Sequence, residues 1–110
     1  MADPRLRKLT ISTNVVKRIA KEKARYEEEV VQQTNLYDAK VTEGADEYEI
    51  KMAKAILDES KMMLPDCQIR LDKALFALNE LLQECAQDLD GTKEFLEAKT
   101  AYTDFSRSVK

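Results

Sequence analysis

The sequence holds 110 residues, of which 44% are hydrophobic and 35% are charged, and its net charge is -3. This length suits one domain with one core, and the presence of only two glycines and two prolines disfavours a sheet protein, which needs turn residues at short intervals. No histidine is present, so the commonest metal ligand and the commonest general base are both missing. Because no secretory, transmembrane or transit-type segment is recognisable, we expect a cytoplasmic protein.

A first helix is predicted over about residues 7–41. The arm up to about Leu6 is expected to be frayed, because Pro4 marks non-helical backbone. The polar residues Lys23 and Gln33 fall at core-facing positions, where they either specify register in a coiled coil or, as we favour, reach the surface from a short, open bundle. Stepping alternately by three and four, the core-facing row contains Leu9, Ser12, Val16, Ile19, Lys23, Tyr26, Val30, Gln33, Tyr37 and Lys40.

A second helix is predicted over about residues 46–86. Gly44 suits the left-handed position that follows a helix end, so it closes the first helix. Asp46 and Glu49 resemble a capping box that opens the second. Ten of the eleven core-facing positions of this helix are apolar, whereas a chain that is 44% hydrophobic would place about five there by chance. They are Ile50, Ala53, Leu57, Ser60, Leu64, Cys67, Leu71, Ala74, Leu78, Leu81 and Cys85.

The apolar period of the second helix continues through Pro65. A proline inside a helix removes one backbone hydrogen bond, clashes with the preceding turn and costs about 3 kcal/mol. One reading is a single helix kinked at Pro65, and the other is a break that would make Leu64 the N-cap of a separate helix. Leucine is a poor N-cap and the period keeps its phase, so we favour the kinked helix.

The two cysteines are predicted to be reduced and to face the core. Cys67 and Cys85 lie 18 residues apart on the same predicted helix. This separation corresponds to about 27 Å along the helix axis, far beyond the ~7 Å between Cα atoms that a disulfide allows.

A third helix is predicted over about residues 91–108, beginning at Asp90 or Thr92. Its core-facing row is short and aromatic, and consists of Phe95, Ala98, Tyr102, Phe105 and Val109. The predicted fold is therefore all-α: an elongated up-down-up three-helix bundle, with a long middle helix kinked at Pro65, formed by residues 1–110 as a single domain.

Charge is distributed unevenly along the chain. Residues 1–26 contain eight basic and two acidic side chains, a balance of +6, which leaves -9 for the remainder. A nucleic-acid partner is not expected, because this segment has one aromatic residue, Tyr26, and no recognisable binding motif. In an antiparallel hairpin the basic start of the first helix would instead lie beside the acidic end of the second, which carries Glu80, Glu84, Asp88 and Asp90.

Catalytic motifs are missing from the sequence. It has no glycine-rich phosphate loop, no metal-ligand cluster and no nucleophile-base set, so we expect neither enzyme activity nor a cofactor or metal. The acidic run Glu27-Glu28-Glu29 is interpreted as a solvated face, since three successive helical residues point in three directions.

The outward side of the second helix carries an apolar row with a spacing of seven. Met62, Ile69 and Phe76, which we call the outer stripe, lie between charged rows on both sides. The first and third helices could cover part of the outer stripe, or it could form a partner surface, and both readings stay open here. Exposed methionine and phenylalanine in a charged frame are typical of adaptable protein-binding faces.

The centre of the second helix carries an unusual string. Residues 60–68 read Ser-Lys-Met-Met-Leu-Pro-Asp-Cys-Gln and are followed by Arg70 and Leu71. This string closely resembles the Ser-Arg-Met-Met-Ile-Pro-Asp-Cys block of the tubulin-folding cofactor A family, with Lys61 and Leu64 in place of the usual Arg and Ile. Residues 15–19, 21–22 and 26–27 are similar to the family's N-terminal segment, and the helix order and the initial Met-Ala-Asp-Pro-Arg also agree. The match is weakest after residue 84.

The resemblance implies a cytoskeleton-associated binding protein of the post-chaperonin tubulin pathway. Such a protein captures quasi-native β-tubulin and passes it toward heterodimer assembly without nucleotide or metal, and other tubulin-folding cofactors are further expected partners. From their positions, the predicted partner-binding residues are the outer stripe, then Lys61, Asp66 and Arg70 at its margin, and finally Lys17, Arg18 and Lys21 on the first helix.

The alternative function is a generic helical scaffold in trafficking or cochaperone complexes. Retention of β-tubulin from chaperonin-released material separates the two functions. Neither reading involves nucleic acid or a membrane.

The oligomeric state stays open between a monomer and a weak homodimer, because an apolar outer stripe would serve self-association as well as the binding of a client.

Overall fold

The computed structural model describes residues 3–106. Within this range it contains three α-helices and no strand: α1 (Pro4–Glu43), α2 (Glu47–Cys85) and α3 (Lys93–Ser106). The all-α, three-helix prediction is confirmed. The predicted residues 107 and 108 of the third helix and its core-facing Val109 lie outside the described residues.

The start of α1 differs from the sequence prediction. The helix begins at Pro4 rather than near residue 7, so the expectation of a frayed arm over residues 3–6 is wrong. Asp3 is the N-cap: its Oδ1 accepts a hydrogen bond from the backbone N–H of Arg5 at 2.9 Å. Proline is well suited to the first helical position, because the backbone N–H that it lacks would have no partner there.

The turn after α1 follows the sequence prediction closely. Gly44 has φ of +72°, the left-handed conformation that glycine adopts without a steric penalty. Its N–H donates to the carbonyl of Val41 at 3.2 Å, and the N–H of Ala45 donates to the carbonyl of Lys40 at 3.0 Å. These two bonds form a Schellman motif, which satisfies carbonyl groups that the helix end would otherwise leave unpaired.

The starts of α2 and α3 are capped by side chains. Asp46 Oδ1 accepts from the N–H of Glu49 at 2.8 Å, which confirms Asp46 as the N-cap of α2. The Glu49 carboxylate lies 3.9 Å from Lys40 Nζ. At the start of α3, Thr92 Oγ1 accepts from the N–H of Phe95 at 3.2 Å, so Thr92 rather than Asp90 caps this helix.

α2 runs through Pro65 as one helix, so the alternative of a break at Leu64 is wrong. All eleven predicted core-facing positions of α2 are buried or half-buried, and so are the ten of α1. Lys23 and Gln33 are half-buried, in keeping with side chains that reach the surface along their apolar stems.

Tertiary contacts divide the chain into two compact units. One unit comprises the chain up to residue 21 and from residue 68 onward, and the other comprises Glu22–Cys67. We call them the three-helix unit and the two-helix unit. The prediction of a single domain stays a prediction.

The three-helix unit has a continuous apolar core. α1 and α2 run antiparallel within it, since Arg5, near the start of α1, binds Asp88, just after the end of α2. The residues that form this core come from all three helices and are Leu9, Val16, Ile19, Leu71, Leu75, Leu78, Leu82, Cys85, Phe95 and Ala98, and Ala101 of α3 is buried as well. Thr13 is also buried, and its hydroxyl donates to the carbonyl of Leu9 at 2.7 Å.

The two-helix unit has a smaller core. Its buried residues are Leu57, Ser60 and Cys67, all on α2. The end of α1 lies beside the start of α2, because Lys40 is near Glu49 and the Lys54 ammonium lies 6.0 Å from the centre of the Tyr37 ring. This unit is therefore an antiparallel helix pair.

Charge complementarity at one end of the three-helix unit is confirmed. Arg5 is bound by Asp3 and Asp88, with its Nη1 3.1 Å from Asp88 Oδ1. The guanidinium holds the pKa of Asp3 at about 2 and lowers the pKa of Asp88. The two carboxylates in turn raise the pKa of Arg5. The contact between Arg5 and Asp88 therefore provides the predicted pairing of the basic start of α1 with the acidic end of α2.

Candidate partner-binding surface

Ile69 and Phe76 of the outer stripe project from α2 of the three-helix unit into solvent. Their side chains are 52% and 65% exposed, whereas Leu71 and Leu78 on the same helix are fully buried. α1 and α3 thus cover at most part of these two residues and leave more than half of each exposed. The reason is local: residues separated by seven return to nearly the same side of a helix, and here that side lies opposite the core.

Phe76 also lines an open groove between α2 and α3. This groove has a volume of about 240 Å³, and its other lining residues are Asp72, Leu75, Tyr102 and Ser106. Leu75 is buried and Tyr102 is half-buried, so an apolar floor lies directly beside the exposed phenylalanine ring. A partner side chain could bury apolar area here against both Phe76 and the groove.

Met62, the third member of the outer stripe, belongs to the two-helix unit. It is 71% exposed, and the neighbouring Lys61 and Asp66 are exposed as well. Arg70 is exposed in the three-helix unit. That these residues act together with Ile69 and Phe76 stays a prediction.

Lys17, Arg18 and Lys21 are exposed on α1 of the three-helix unit. Lys17 lines a groove of about 330 Å³ together with residues of α3: Leu96, Glu97, Thr100, Ala101, Asp104 and Phe105. The three basic side chains thus lie on α1, whereas Ile69 and Phe76 lie on α2.

The two-helix unit exposes a second apolar row that the sequence reasoning missed. Tyr48, Met52, Ile56 and Met63 lie on one side of α2, and their exposed fractions are 72%, 45%, 46% and 41%. Their spacing of four, four and seven was the available signal. These four residues do not lie at multiples of seven from Met62, so the outer stripe did not include them.

The three-helix unit has a further exposed apolar residue that was missed. Ile11 is 52% exposed and lines a groove of about 350 Å³ between α1 and α2. Ala77 and Leu81 contribute apolar atoms to this groove, and Lys8, Ser12, Glu80 and Glu84 contribute polar ones. The only signal in the sequence was an isoleucine just outside the core-facing row of α1.

Comparison with known proteins identifies the family. The family model described as tubulin binding cofactor A matches residues 4–102, which include every predicted binding residue. A tubulin-specific chaperone A from Gallus gallus is 47% identical over 100 residues, covering 91% of this chain and 92% of the relative. The chain belongs to the tubulin binding cofactor A family.

Solved structures of cofactor A proteins share this fold. The crystal structure of tubulin folding cofactor A from Arabidopsis thaliana has a TM-score of 0.89 and 36% identity, covering 94% of this chain and 96% of that one. The human tubulin chaperone cofactor A has a TM-score of 0.82 and 38% identity, covering 94% and 99%. The resemblance found in the sequence is confirmed at the level of both family and fold.

The members of the cofactor A family are named as chaperones or folding cofactors rather than as enzymes. In this chain, residues 3–106 contain no group of three or more side chains suited to hold a metal ion. Both cysteines are free and buried, and burial raises the pKa of the Cys85 thiol, which favours its neutral, unreactive form. What the described surface offers is apolar and charged contact area.

No helix within residues 3–106 combines the length and the apolarity required to cross a membrane.

Proposed function

We propose that this protein is a tubulin-folding cofactor that binds and stabilises β-tubulin folding intermediates after their release from the cytosolic chaperonin. It hands them on toward α/β-tubulin heterodimer assembly without catalysis. The observation that carries this proposal is the 47% identity, over 91% of the chain, to a relative named tubulin-specific chaperone A. The proposed site of action is the cytoplasm, in association with the cytoskeleton.

The proposed mechanism is differential binding. A protein without catalytic groups alters a folding pathway only by binding one state of its client more tightly than another. An intermediate of β-tubulin exposes apolar surface that the finished heterodimer buries, so an apolar contact favours the intermediate. When α-tubulin covers the same surface, release follows from competition and requires no nucleotide.

The proposed client contact is centred on Ile69 and Phe76. Both are more than half exposed, although both are large apolar residues, and Phe76 stands beside an open groove. Arg70 at their margin would orient the client. Large exposed apolar side chains within a charged frame are typical of protein-binding surfaces.

Met62, with Lys61 and Asp66, forms a separate proposed contact in the two-helix unit. Its flexible thioether side chain is 71% exposed and can adapt to an incompletely folded partner. Other tubulin-folding cofactors are proposed as further partners, because a client that is handed on must be received.

The test is retention of β-tubulin from chaperonin-released material by the immobilised protein. We expect the wild type to retain β-tubulin, and the Ile69→Ser/Phe76→Ser variant to lose most of this retention while staying helical. The matched control is Val31→Ser/Leu96→Ser, since these two residues are 58% and 53% exposed elsewhere on the chain. Met62→Ser is measured separately.

Two results would contradict the proposal at different levels. If folded wild-type protein retained no β-tubulin, the generic helical scaffold in trafficking or cochaperone complexes would be the better function. If the wild type retained β-tubulin and the Ile69→Ser/Phe76→Ser variant did so equally well, the client would bind elsewhere on the chain.

A further inference from the structure

The first half of α1 presents a strongly basic exposed side. Residues 4–21 contain no aspartate or glutamate. Arg7, Lys17, Arg18 and Lys21 are all exposed, and we call these four residues the basic row. No hydrogen bond or ion pair joins them to any residue within the described range. This charge is therefore not used to hold the three-helix unit together.

The basic row covers about 100° of the circumference of α1. At 100° per residue, Arg7 and Arg18 point within about 20° of each other, Lys21 lies about 40° from Arg7 on the other side, and Lys17 lies about 80° from Arg7 on that same side. Lys17, Arg18 and Lys21 span about 6 Å along the axis, and Arg7 lies about 15 Å from Lys17. The basic row thus consists of a tight cluster and one distant charge, over a total length of about 21 Å.

The acidic groups of the neighbouring helices leave most of this charge unbalanced. Glu97 and Asp104 of α3 share a groove with Lys17, at one edge of the basic row. Glu80 and Glu84 of α2 share a groove with Lys8, which is not part of it. Asp3 and Asp88 are bound to Arg5. Glu22 follows Lys21 directly and lies one helical turn after Arg18, so it is the acidic side chain nearest to these two residues. The row therefore keeps an excess of positive charge, and Arg7 shares none of these grooves with an acidic residue.

We propose that the basic row binds an extended acidic segment of a protein partner. An extended chain advances about 3.3 Å per residue, so six or seven residues cover about 21 Å. Alternate residues on one face of such a segment are about 7 Å apart, which lets two carboxylates contact the cluster at Lys17, Arg18 and Lys21. A third carboxylate further along the segment then reaches Arg7.

Nucleic acid fits the basic row less well. The exposed residues that lie between Arg7 and Lys17 along α1 provide no aromatic ring on which a base could stack; they include Thr10, Ile11 and Asn14. One strand of duplex DNA carries a phosphate per ~3.4 Å, so about six phosphates of that strand would lie along the same length, against four cations. An acidic segment with three or four carboxylates matches the basic row charge for charge.

This inference rests on the proposed function for the identity of the partner, which is then the β-tubulin client. The basic row lies on α1, apart from Ile69 and Phe76 on α2. Apolar contact would select the folding intermediate, and the basic row would hold an acidic segment of the same client and set its orientation. Long-range attraction would also speed the first encounter.

The experiment uses the full-length protein and a fluorescein-labelled heptapeptide of alternating Glu and Ala, with a Gln-for-Glu peptide as the uncharged probe. We expect weak binding of the acidic peptide at low salt by fluorescence anisotropy. This binding should decline as salt rises from 10 to 150 mM, because the Debye length falls from about 30 to about 8 Å. The uncharged peptide should not bind.

The decisive variant is Arg18→Gln/Lys21→Gln, and its matched control is Lys51→Gln/Lys99→Gln on α2 and α3, which removes the same net charge from exposed positions. Exposed ion pairs contribute about 0.2–1 kcal/mol each, so the decisive variant should bind the acidic peptide about 2- to 30-fold more weakly. The control should bind like the wild type. Circular dichroism of each variant verifies that the helices are intact.

Three results would overturn the inference: no binding of the acidic peptide at low salt, an equal loss in both variants, or tighter row-dependent binding of an oligonucleotide than of the peptide.

A parallel β-tubulin retention assay keeps this inference distinct from the proposed function. Retention by the wild type without peptide binding would contradict only the basic row. Peptide binding without β-tubulin retention would contradict only the proposed client.

Discussion

The opposite environments of Leu78 and Phe76 on α2 give a quantitative test of the structure on which the candidate surface depends. Leu78 is fully buried in the core of the three-helix unit, and Phe76, two residues earlier, is 65% exposed. Replacing each by alanine should therefore have unequal effects on the free energy of unfolding, although phenylalanine is the larger side chain.

For Leu78→Ala, the loss of buried methyl groups and the cavity left behind predict a destabilisation of about 3–4 kcal/mol. For Phe76→Ala, the area at stake is the part of the phenylalanine side chain that the fold buries, roughly a third of about 200 Å², or ~70 Å². At ~25 cal/mol per Å² this gives at most about 1.7 kcal/mol, and about 1 kcal/mol is expected because alanine keeps part of the contact.

Urea unfolding followed by far-UV circular dichroism measures both free energies, provided that the slope of the unfolding free energy against urea concentration is the same in the two variants. A loss for Phe76→Ala equal to or greater than that for Leu78→Ala would refute the reasoning. It would mean that Phe76 is part of the core and that its exposed position on α2 is wrong. The proposed client contact would then lose its structural basis.

Three further predictions concern the backbone and the charges. Gly44→Ala should destabilise the protein by about 1–2 kcal/mol in urea unfolding, because the position has φ of +72°, whereas Gly91→Ala should be nearly neutral; equal losses would contradict this. Arg5 lowers the pKa of Asp3 from 3.8 to about 2, so the stability that this contact contributes is present above pH 4 and is lost as the pH falls toward 2. Arg5→Gln should therefore unfold with a shallower dependence on pH in that range, and an unchanged acid profile would count against the contact. Pro65→Ala should stabilise the helix by up to about 3 kcal/mol and reduce β-tubulin retention; if retention were unchanged, the proline would serve the fold alone.

The core-facing rows were predictable because helical periodicity is local. In α2 every predicted core-facing residue from Ile50 to Cys85 is buried or half-buried, and Pro65 did not interrupt the row. Gly44 and Asp46 were equally readable, since the conformation of a helix end depends on a few adjacent residues. The start of α1 was misjudged because Pro4 was read as a breaker, although proline also fits the first turn of a helix.

Burial beyond these rows depended on helix packing. Leu75 and Leu82 are 5% and 7% exposed, although neither lies in the predicted row of α2. They are buried in a core shared with Phe95 and Ala98 of α3. The spacing of Leu71, Leu75, Leu78 and Leu82 was a readable sign that this side of α2 is wider than the predicted row, but it does not tell which helix covers it.

The sequence by itself determined the number of helices, the Gly44 turn, the Asp46 cap, the core-facing rows and the family, because each of these depends on local spacing or on a distinctive string of residues. Only the tertiary structure decided that Ile69 and Phe76 stay more than half exposed, that a groove opens beside Phe76, and that Arg5 rather than the basic row binds the acidic end of α2. The physical reason is that a side chain's exposure depends on which other helices pack against it, and those helices are distant in sequence.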